Sequence, residues 1–130
     1  MLFRSLADRA AFPRDKTCGD GLTAEALRRL ETLGVPLGDL ERAGPVTGAV
    51  IVSPQGRRIE LPLPTDAAHA KVMRRIDLDA ALVARARAAG ADVREGLELT
   101  GLKSGDRDVE ATFADGSVAT APFVVAADGR

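Results

Sequence analysis

The stretch RIDLDAALVARARAAGADVRE, residues 75–95, decides the fold class because a helical pattern in it leads directly into a strand. Four apolar residues follow helical spacing and predict a helix over residues 78–89. Gly90 then ends the helix, as glycine commonly does. Residues 91–95, with Val93 at their centre, predict a short strand. A helix that passes at once into a strand is typical of an α/β protein.

The segments after this strand predict a β-meander. Short β segments cover residues 98–103, 108–113 and 117–121, and glycine-containing turns separate them. Residues 123–127 are a continuous apolar run, which predicts a buried parallel strand. Asp128-Gly129 follows directly, either as a ligand-binding loop at the end of that strand or as an ordinary turn.

The N-terminal half combines a loop, a helix and a hairpin. Residues 12–21 hold one Pro, two Gly and four charges, which is typical of a loop. Thr23 is placed to cap a helix over residues 24–33. Residues 46–53 and 57–63 predict the two strands of an antiparallel hairpin.

Composition excludes several classes of protein. With 130 residues, 45% of them apolar, and 18 basic against 19 acidic side chains, the chain is typical of one globular domain. A net charge of −1 and the absence of Trp and Tyr do not support a nucleic-acid surface. No apolar run approaches the roughly 20 residues that span a bilayer, and the start resembles no secretory signal, so we expect a cytoplasmic protein. A single Cys18 and a single His69 cannot furnish a structural zinc site, and we expect His69 to be exposed to solvent.

Three segments carry a resemblance to a known family. They are DRAAFPRDKTCGDGLT at residues 8–23, RIDLDAAL at residues 75–82 with AGADV at residues 89–93, and VVAADG at residues 124–129. In this order they resemble the flavin-binding half of FAD-dependent oxidoreductases of the geranylgeranyl reductase family, which are related to the group A flavin monooxygenases. The resemblance implies an α/β fold: a partial FAD/NAD(P)-binding, Rossmann-like, three-layer domain over residues 1–130 with a β-meander. Residues 43–72 would then belong to an antiparallel substrate-domain sheet.

The resemblance also implies FAD contacts near the start of the chain. Asp8 would accept hydrogen bonds from the ribose hydroxyls of FAD, as acids at the end of a second parallel strand do. Lys16 would add positive charge beside the cofactor, and Gly19 would let the backbone approach it closely. Cys18 would line the flavin or substrate pocket rather than react. Without the motif, Asp8 and the loop would be solvated, and Cys18 would be a small buried apolar residue.

Further contacts are implied later in the chain. Arg75 would bind the pyrophosphate or ribose part of FAD, although arginines that flank helices are also common on surfaces. Val93 would offer backbone groups to the adenine. Asp128 would accept hydrogen bonds from the ribityl hydroxyls, and Gly129 would permit close approach. No catalytic acid, base or metal ligand is assigned.

One family motif has no counterpart here. The dinucleotide fingerprint G-x-G-x-x-G would lie about 20 residues before the ribose-binding acid. Only seven residues precede Asp8, and the pattern occurs nowhere in the chain. We therefore expect a fragment of a much longer protein, one that does not bind FAD tightly by itself and is inactive alone.

Three functions remain possible, two of them flavoenzyme activities and the third of a different class. The first is an FAD-dependent reductase that saturates isoprenoid double bonds on a lipid precursor or quinone side chain, with NAD(P)H as a possible electron donor. The second is a flavin monooxygenase or a halogenase-like enzyme, since one fold supports several reactions. The third is a non-catalytic α/β module. An isoprenoid substrate would bring the intact enzyme to the inner membrane surface as a peripheral protein.

Overall fold

A computed structural model describes residues 4–18, 20–35, 43–63 and 70–127. It contains short strands and two helices, in a mixed α/β arrangement. In chain order the elements are β1 (Ser5–Asp8), β2 (Gly21–Thr23), α1 (Ala24–Thr32), β3 (Gly44–Pro45), β4 (Gly48–Val52), β5 (Arg58–Pro62), β6 (Ala70–Val72), α2 (Arg75–Ala88), β7 (Asp92–Glu95), β8 (Leu99–Ser104), β9 (Val109–Phe113) and β10 (Val118–Ala121).

The chain divides into two compact units. The first unit contains Met1–Ala11 and Gly90–Arg130, and the second contains Phe12–Ala89. Neither described helix is long and apolar enough to cross a membrane.

A parallel strand pair is the α/β element of the first unit. β1 pairs with β7 so that Leu6 faces Val93 and Asp8 faces Glu95. The Leu97 N–H donates to the Asp8 carbonyl at 2.9 Å and continues the ladder beyond the strand. Parallel pairing of strands that are distant in sequence requires a crossover connection. The structure thus confirms the strand predicted over residues 91–95.

The predicted β-meander forms the rest of the first unit. β9 pairs antiparallel with β8 on one side and with β10 on the other. Ala111 and Phe113, both on β9, are buried. Gly116 has a φ of +81°, a left-handed conformation that glycine adopts without strain, in the turn between β9 and β10. All three β segments lie within one residue of the predicted bounds.

The prediction of a parallel strand at residues 123–127 is wrong. No strand is formed over this segment. Phe123 and Val125 are 74% and 76% exposed, whereas a buried strand would cover them. An apolar run becomes a strand only when a neighbour takes up its backbone hydrogen bonds, and no described strand pairs with this one.

The core of the second unit lies between α1, β6 and α2. Leu27, Leu30, Val35, Met73 and Leu78 form one buried cluster. Thr23 caps α1, as predicted, by accepting from the Ala26 N–H at 3.2 Å. Helix α1 is amphipathic, so its apolar face closes over this cluster.

A small antiparallel sheet supports this core, and the sequence patterns gave no signal for it. β6 is its central strand, with β2 on one side and β3 on the other. Gly21 pairs with Val72, and Thr23 pairs with Ala70. Strands of two or three residues are too short to show an alternating pattern.

The predicted hairpin is present as β4 and β5. Cross-strand pairs Ala49–Leu61 and Ile51–Ile59 place four apolar side chains on the same face of the hairpin. Ile51, Ile59 and Leu61 are exposed. The described residues therefore present an apolar sheet face to solvent.

Helix α2 begins at Arg75, one turn earlier than the apolar pattern predicts. Its first turn holds Arg75 and Asp77, and Asp79 follows one turn after Arg75. Arg75 and Asp79 form an ion pair at i,i+4 spacing. A cation at a helix N-terminus is unfavourable to the helix dipole, and the carboxylates offset this cost. The apolar spacing could not reveal a turn that charged side chains stabilise.

We predict that Met73→Ala destabilises the protein strongly. Met73 is 1% exposed, and its truncation leaves a cavity, so we expect the free energy of unfolding to fall by about 2–5 kcal/mol. Val72→Ala is the matched control, because Val72 directly precedes Met73 at the end of β6 and is 46% exposed. Its truncation should cost less than about 1 kcal/mol. Urea unfolding followed by circular dichroism measures both, and equal losses would contradict the core assignment.

We predict that Glu25 stabilises α1 at neutral pH but not in acid. Hydrogen bonds from Arg28 and then Arg29 lower the pKa of Glu25. A lowered pKa means that the stabilisation is present above the unfolded-state pKa and is lost as the pH falls through the folded-state pKa. Glu25→Gln should therefore lower the melting temperature slightly at neutral pH, and this difference should vanish in acid. Glu31→Gln, at the other end of the helix, serves as the control. A lower melting temperature of Glu25→Gln that persists in acid would refute the prediction.

Candidate functional site

A cavity of about 270 Å³ lies in the second unit, where the loop before β2 meets the start of α2. The pairing of β2 with β6 brings these segments together. The Met73 N–H also donates to the Asp20 carbonyl at 2.8 Å, just beyond this pairing. The cavity is lined by Cys18, Asp20, Gly21, Leu22, Met73, Arg75, Leu78, Asp79 and Leu82.

The lining combines an apolar surface with a small set of charged groups. Leu22, Met73, Leu78 and Leu82 supply the apolar part. Ligand pockets are commonly apolar with a few placed polar groups that orient the ligand. This lining therefore suits a ligand that has both an apolar surface and a polar or anionic group.

Arg75 and Asp79 form a bidentate ion pair in the lining of the cavity. Arg75 Nε donates to Asp79 Oδ1 at 2.8 Å, and Arg75 Nη2 donates to Asp79 Oδ2 at 2.8 Å. Two parallel bonds of this kind fix the guanidinium plane. The hydrogen bonds to Asp79 and then to Cys18 raise the pKa of Arg75 well above its ordinary value. Arg75 is thus a permanent cation with a defined orientation.

Arg14 makes a second charged contact to the same carboxylate. Its Nη1 donates to Asp79 Oδ2 at 3.1 Å, across 65 residues of sequence. The Arg14 guanidinium carbon also lies 5.0 Å from the centre of the Phe12 ring, within the range of a cation–π contact. Asp79 therefore joins the loop before β2 to helix α2.

The structure brings together two of the residues predicted in this unit and leaves a third apart. Cys18 and Arg75 line the same cavity. Lys16 is exposed and lies outside the cavity lining, and its backbone N–H donates to Asp15 Oδ1 at 2.9 Å. Gly19 lies outside the described residues.

In the first unit, Asp8 and Val93 lie on paired strands. Asp8 is the last residue of β1 and half-buried, and its Oδ1 accepts from the Ala10 N–H at 2.8 Å. Val93 pairs with Leu6, two residues before the Asp8–Glu95 pair. An acid at the carboxyl end of a parallel strand stands where open α/β sheets bind ligands. Asp128 and Gly129 lie outside the described residues.

Sequence reasoning missed the buried acid and its loop partner. Among the described residues of the second unit, Asp79 is the buried charged one, and Arg14 contacts it from the loop. The i,i+4 spacing of Arg75 and Asp79 was a usable signal, but only for a helix that begins at Arg75. Nothing in the sequence indicated the contact between Arg14 and Asp79, because it depends on tertiary packing.

Comparison with known proteins shows which family the chain matches. Residues 5–130 match the family described as FAD binding domain. The menaquinone reductase of Mycobacterium tuberculosis strain H37Rv is 33% identical over 128 residues, which cover 94% of this chain and 30% of the reductase. The chain thus spans about a third of the length of the curated relatives that it matches.

Solved structures show the same fold. The Diels-Alderase PyrE3 of pyrroindomycin biosynthesis superposes with a TM-score of 0.79 at 21% identity, covering 98% of this chain and 27% of PyrE3. A geranylgeranyl bacteriochlorophyll reductase-like protein from Thermoplasma acidophilum gives a TM-score of 0.72 at 21% identity, covering 92% of this chain and 30% of that protein. The predicted α/β, Rossmann-like FAD-binding fold is confirmed. The chain belongs to the FAD binding domain family, and its cofactor is FAD.

Proposed function

We propose that this chain forms part of the FAD site of a reductase that saturates isoprenoid double bonds, such as those of a quinone side chain. The observation that carries the proposal is the 33% identity with a menaquinone reductase over 94% of the chain. Menaquinone carries an isoprenoid side chain, so it belongs to the substrate class expected from the sequence motifs. NAD(P)H is the proposed electron donor.

The donor set of the second unit fits part of FAD. The guanidinium of Arg75 is a fixed cation with hydrogen-bond donors beyond the two that Asp79 accepts, and it suits a pyrophosphate or ribose oxygen. The apolar side chains around it suit the flat face of a ring. Lys16 and Gly19 are proposed as additional contacts from the same loop.

The first unit offers groups for the adenosine part. The carboxylate of Asp8 at the end of β1 suits ribose hydroxyls, and the backbone of Val93 is proposed to bind adenine. Asp128 and Gly129 are proposed to contact the ribityl chain. When bound, FAD supplies the hydride-transfer chemistry, and these residues bind and orient it.

The hairpin is proposed to serve the substrate side of the protein. Its apolar face, formed by Ala49, Ile51, Ile59 and Leu61, supports the assignment of residues 43–72 to a substrate-domain sheet. An exposed apolar sheet face is costly unless another layer covers it. An intact enzyme acting on isoprenoid lipids would bind the inner membrane surface peripherally.

We predict that Arg75→Gln weakens FAD binding by the chain. A charge-assisted hydrogen bond contributes about 1.5–3 kcal/mol, which corresponds to roughly 10-fold to 100-fold in affinity. Arg74→Gln is the matched control, because Arg74 is the exposed neighbour and pairs with Asp77. Quenching of flavin fluorescence in a titration up to millimolar FAD measures both variants.

One outcome of this titration would count against the proposal, and a separate observation would count against weak FAD binding by the chain alone. Equal affinity of the Arg75 variant and the unsubstituted chain would remove Arg75 from the FAD site. A stoichiometric yellow flavin spectrum in the purified chain would overturn the expectation that the chain alone binds FAD only weakly.

The reaction class has its own test in a longer protein that contains this chain. With menaquinone and NAD(P)H in the absence of oxygen, we expect mass spectrometry to show the addition of two hydrogens to the side chain. Turnover that requires oxygen and inserts an oxygen atom, or a halogen, would favour the monooxygenase or halogenase-like alternative. Absence of any flavin-dependent turnover would favour a non-catalytic module.

A further inference from the structure

We propose that Asp79 is a positioning residue, whose buried carboxylate holds Arg75 in the orientation that receives the anionic part of the cofactor. Asp79 is 7% exposed and lines the same cavity as Arg75. For the identity of the anion, this inference rests on the proposed FAD contact of Arg75. The positioning itself rests on the geometry of the second unit.

Three hydrogen bonds converge on this one carboxylate. Arg75 occupies both oxygens through Nε and Nη2, each at 2.8 Å, and Arg14 adds a bond to Oδ2 at 3.1 Å. A guanidinium has five N–H donors, so the bidentate pair uses only part of the capacity of Arg75. Neither bond uses Nη1 of Arg75.

Among the contacts of the described residues, Asp79 is the anion that the two guanidiniums share. Arg14 and Arg75 are both about three-quarters covered, with side-chain exposures of 23% and 25%. Two cations brought together in a partly desolvated place repel each other. Asp79 offsets this repulsion, so it permits the loop before β2 and the start of α2 to meet at the cavity.

Fixing Arg75 in advance has a consequence for binding. An arginine has many rotamers, and ordering it when a ligand binds reduces the affinity. Arg75 is already ordered by Asp79, so ligand binding does not have to order it and the affinity is not reduced by this entropy loss. Asp79 acts on the ligand only through Arg75, because its own oxygens are engaged by arginines.

The exchange of the Arg75 Nε–H with water tests the positioning directly. A proton that is hydrogen-bonded to a buried carboxylate exchanges slowly with water. Proton–nitrogen correlation spectra at neutral pH should therefore show the resonance of the Arg75 Nε–H. The absence of this resonance in Arg75→Lys assigns it. Asp79→Asn should speed this exchange by about tenfold or more, since the amide cannot form the charged bidentate pair. Asp77→Asn removes the same charge from the same helix at the pair with Arg74, and it should leave the Arg75 resonance unchanged.

FAD titration adds the readout that a merely structural role would not change. Asp79→Asn should weaken FAD binding by about tenfold, and Asp79→Glu should recover part of the loss because it restores the charge. A lower melting temperature of Asp79→Asn, with unchanged Arg75 exchange and unchanged FAD affinity, would overturn the proposal. Faster exchange with unchanged FAD affinity would overturn the proposed contact between Arg75 and FAD while the positioning of Arg75 stands.

A second variant serves if Asp79→Asn fails to fold. Arg14→Gln removes the third hydrogen bond and keeps the pair between Arg75 and Asp79. We expect the Arg75 Nε–H to exchange about as slowly as in the unsubstituted protein, because the bidentate pair with Asp79 remains. Exchange that is about tenfold faster in Arg14→Gln would overturn Asp79 as the residue that holds Arg75.

Discussion

The cavity of the second unit depends on the position of Met73. Its side chain is buried against Leu27 and Leu30, and its backbone N–H donates to the Asp20 carbonyl at 2.8 Å. The core contact fixes the residues just before α2, and the backbone bond fixes the end of the loop before β2. Both contacts belong to one residue. Packing of the core therefore also brings together the segments that line the cavity. Cys18 and Arg75 meet as a result.

The charges of the site are arranged around one buried acid. Placing a carboxylate away from water is costly, and the two arginines that bond to Asp79 compensate for this cost. A buried ion pair adds little net stability when the cost of desolvation offsets its Coulomb energy. Here the cluster sets the orientation of Arg75 and its link to the loop that carries Arg14 and Cys18. The same loop holds the motif by which the sequence resembles flavoproteins.

Local patterns predicted most of the elements and failed where a distant or charged partner decides the outcome. Thr23, Gly90 and the alternating segments of the meander act within a few residues, and the elements that these signals predict are present. Residues 123–127 have the composition of a strand, but strand formation needs a neighbour, and none of the described strands supplies one. Helix α2 starts at Arg75 because ion pairs extend it beyond its apolar pattern.

By itself, the sequence determined the α/β class and the order of the flavoprotein motifs. Motifs and capping residues depend on neighbouring residues in the chain, so they can be recognised in the sequence alone. Only the tertiary structure decided that Asp79 is buried, that Arg14 bonds to it across 65 residues, and that Lys16 lies outside the cavity. These facts follow from the pairing of β2 with β6 and from the burial of Met73 in the core. Contacts that packing creates between distant residues cannot be predicted from the spacing of residues in the sequence.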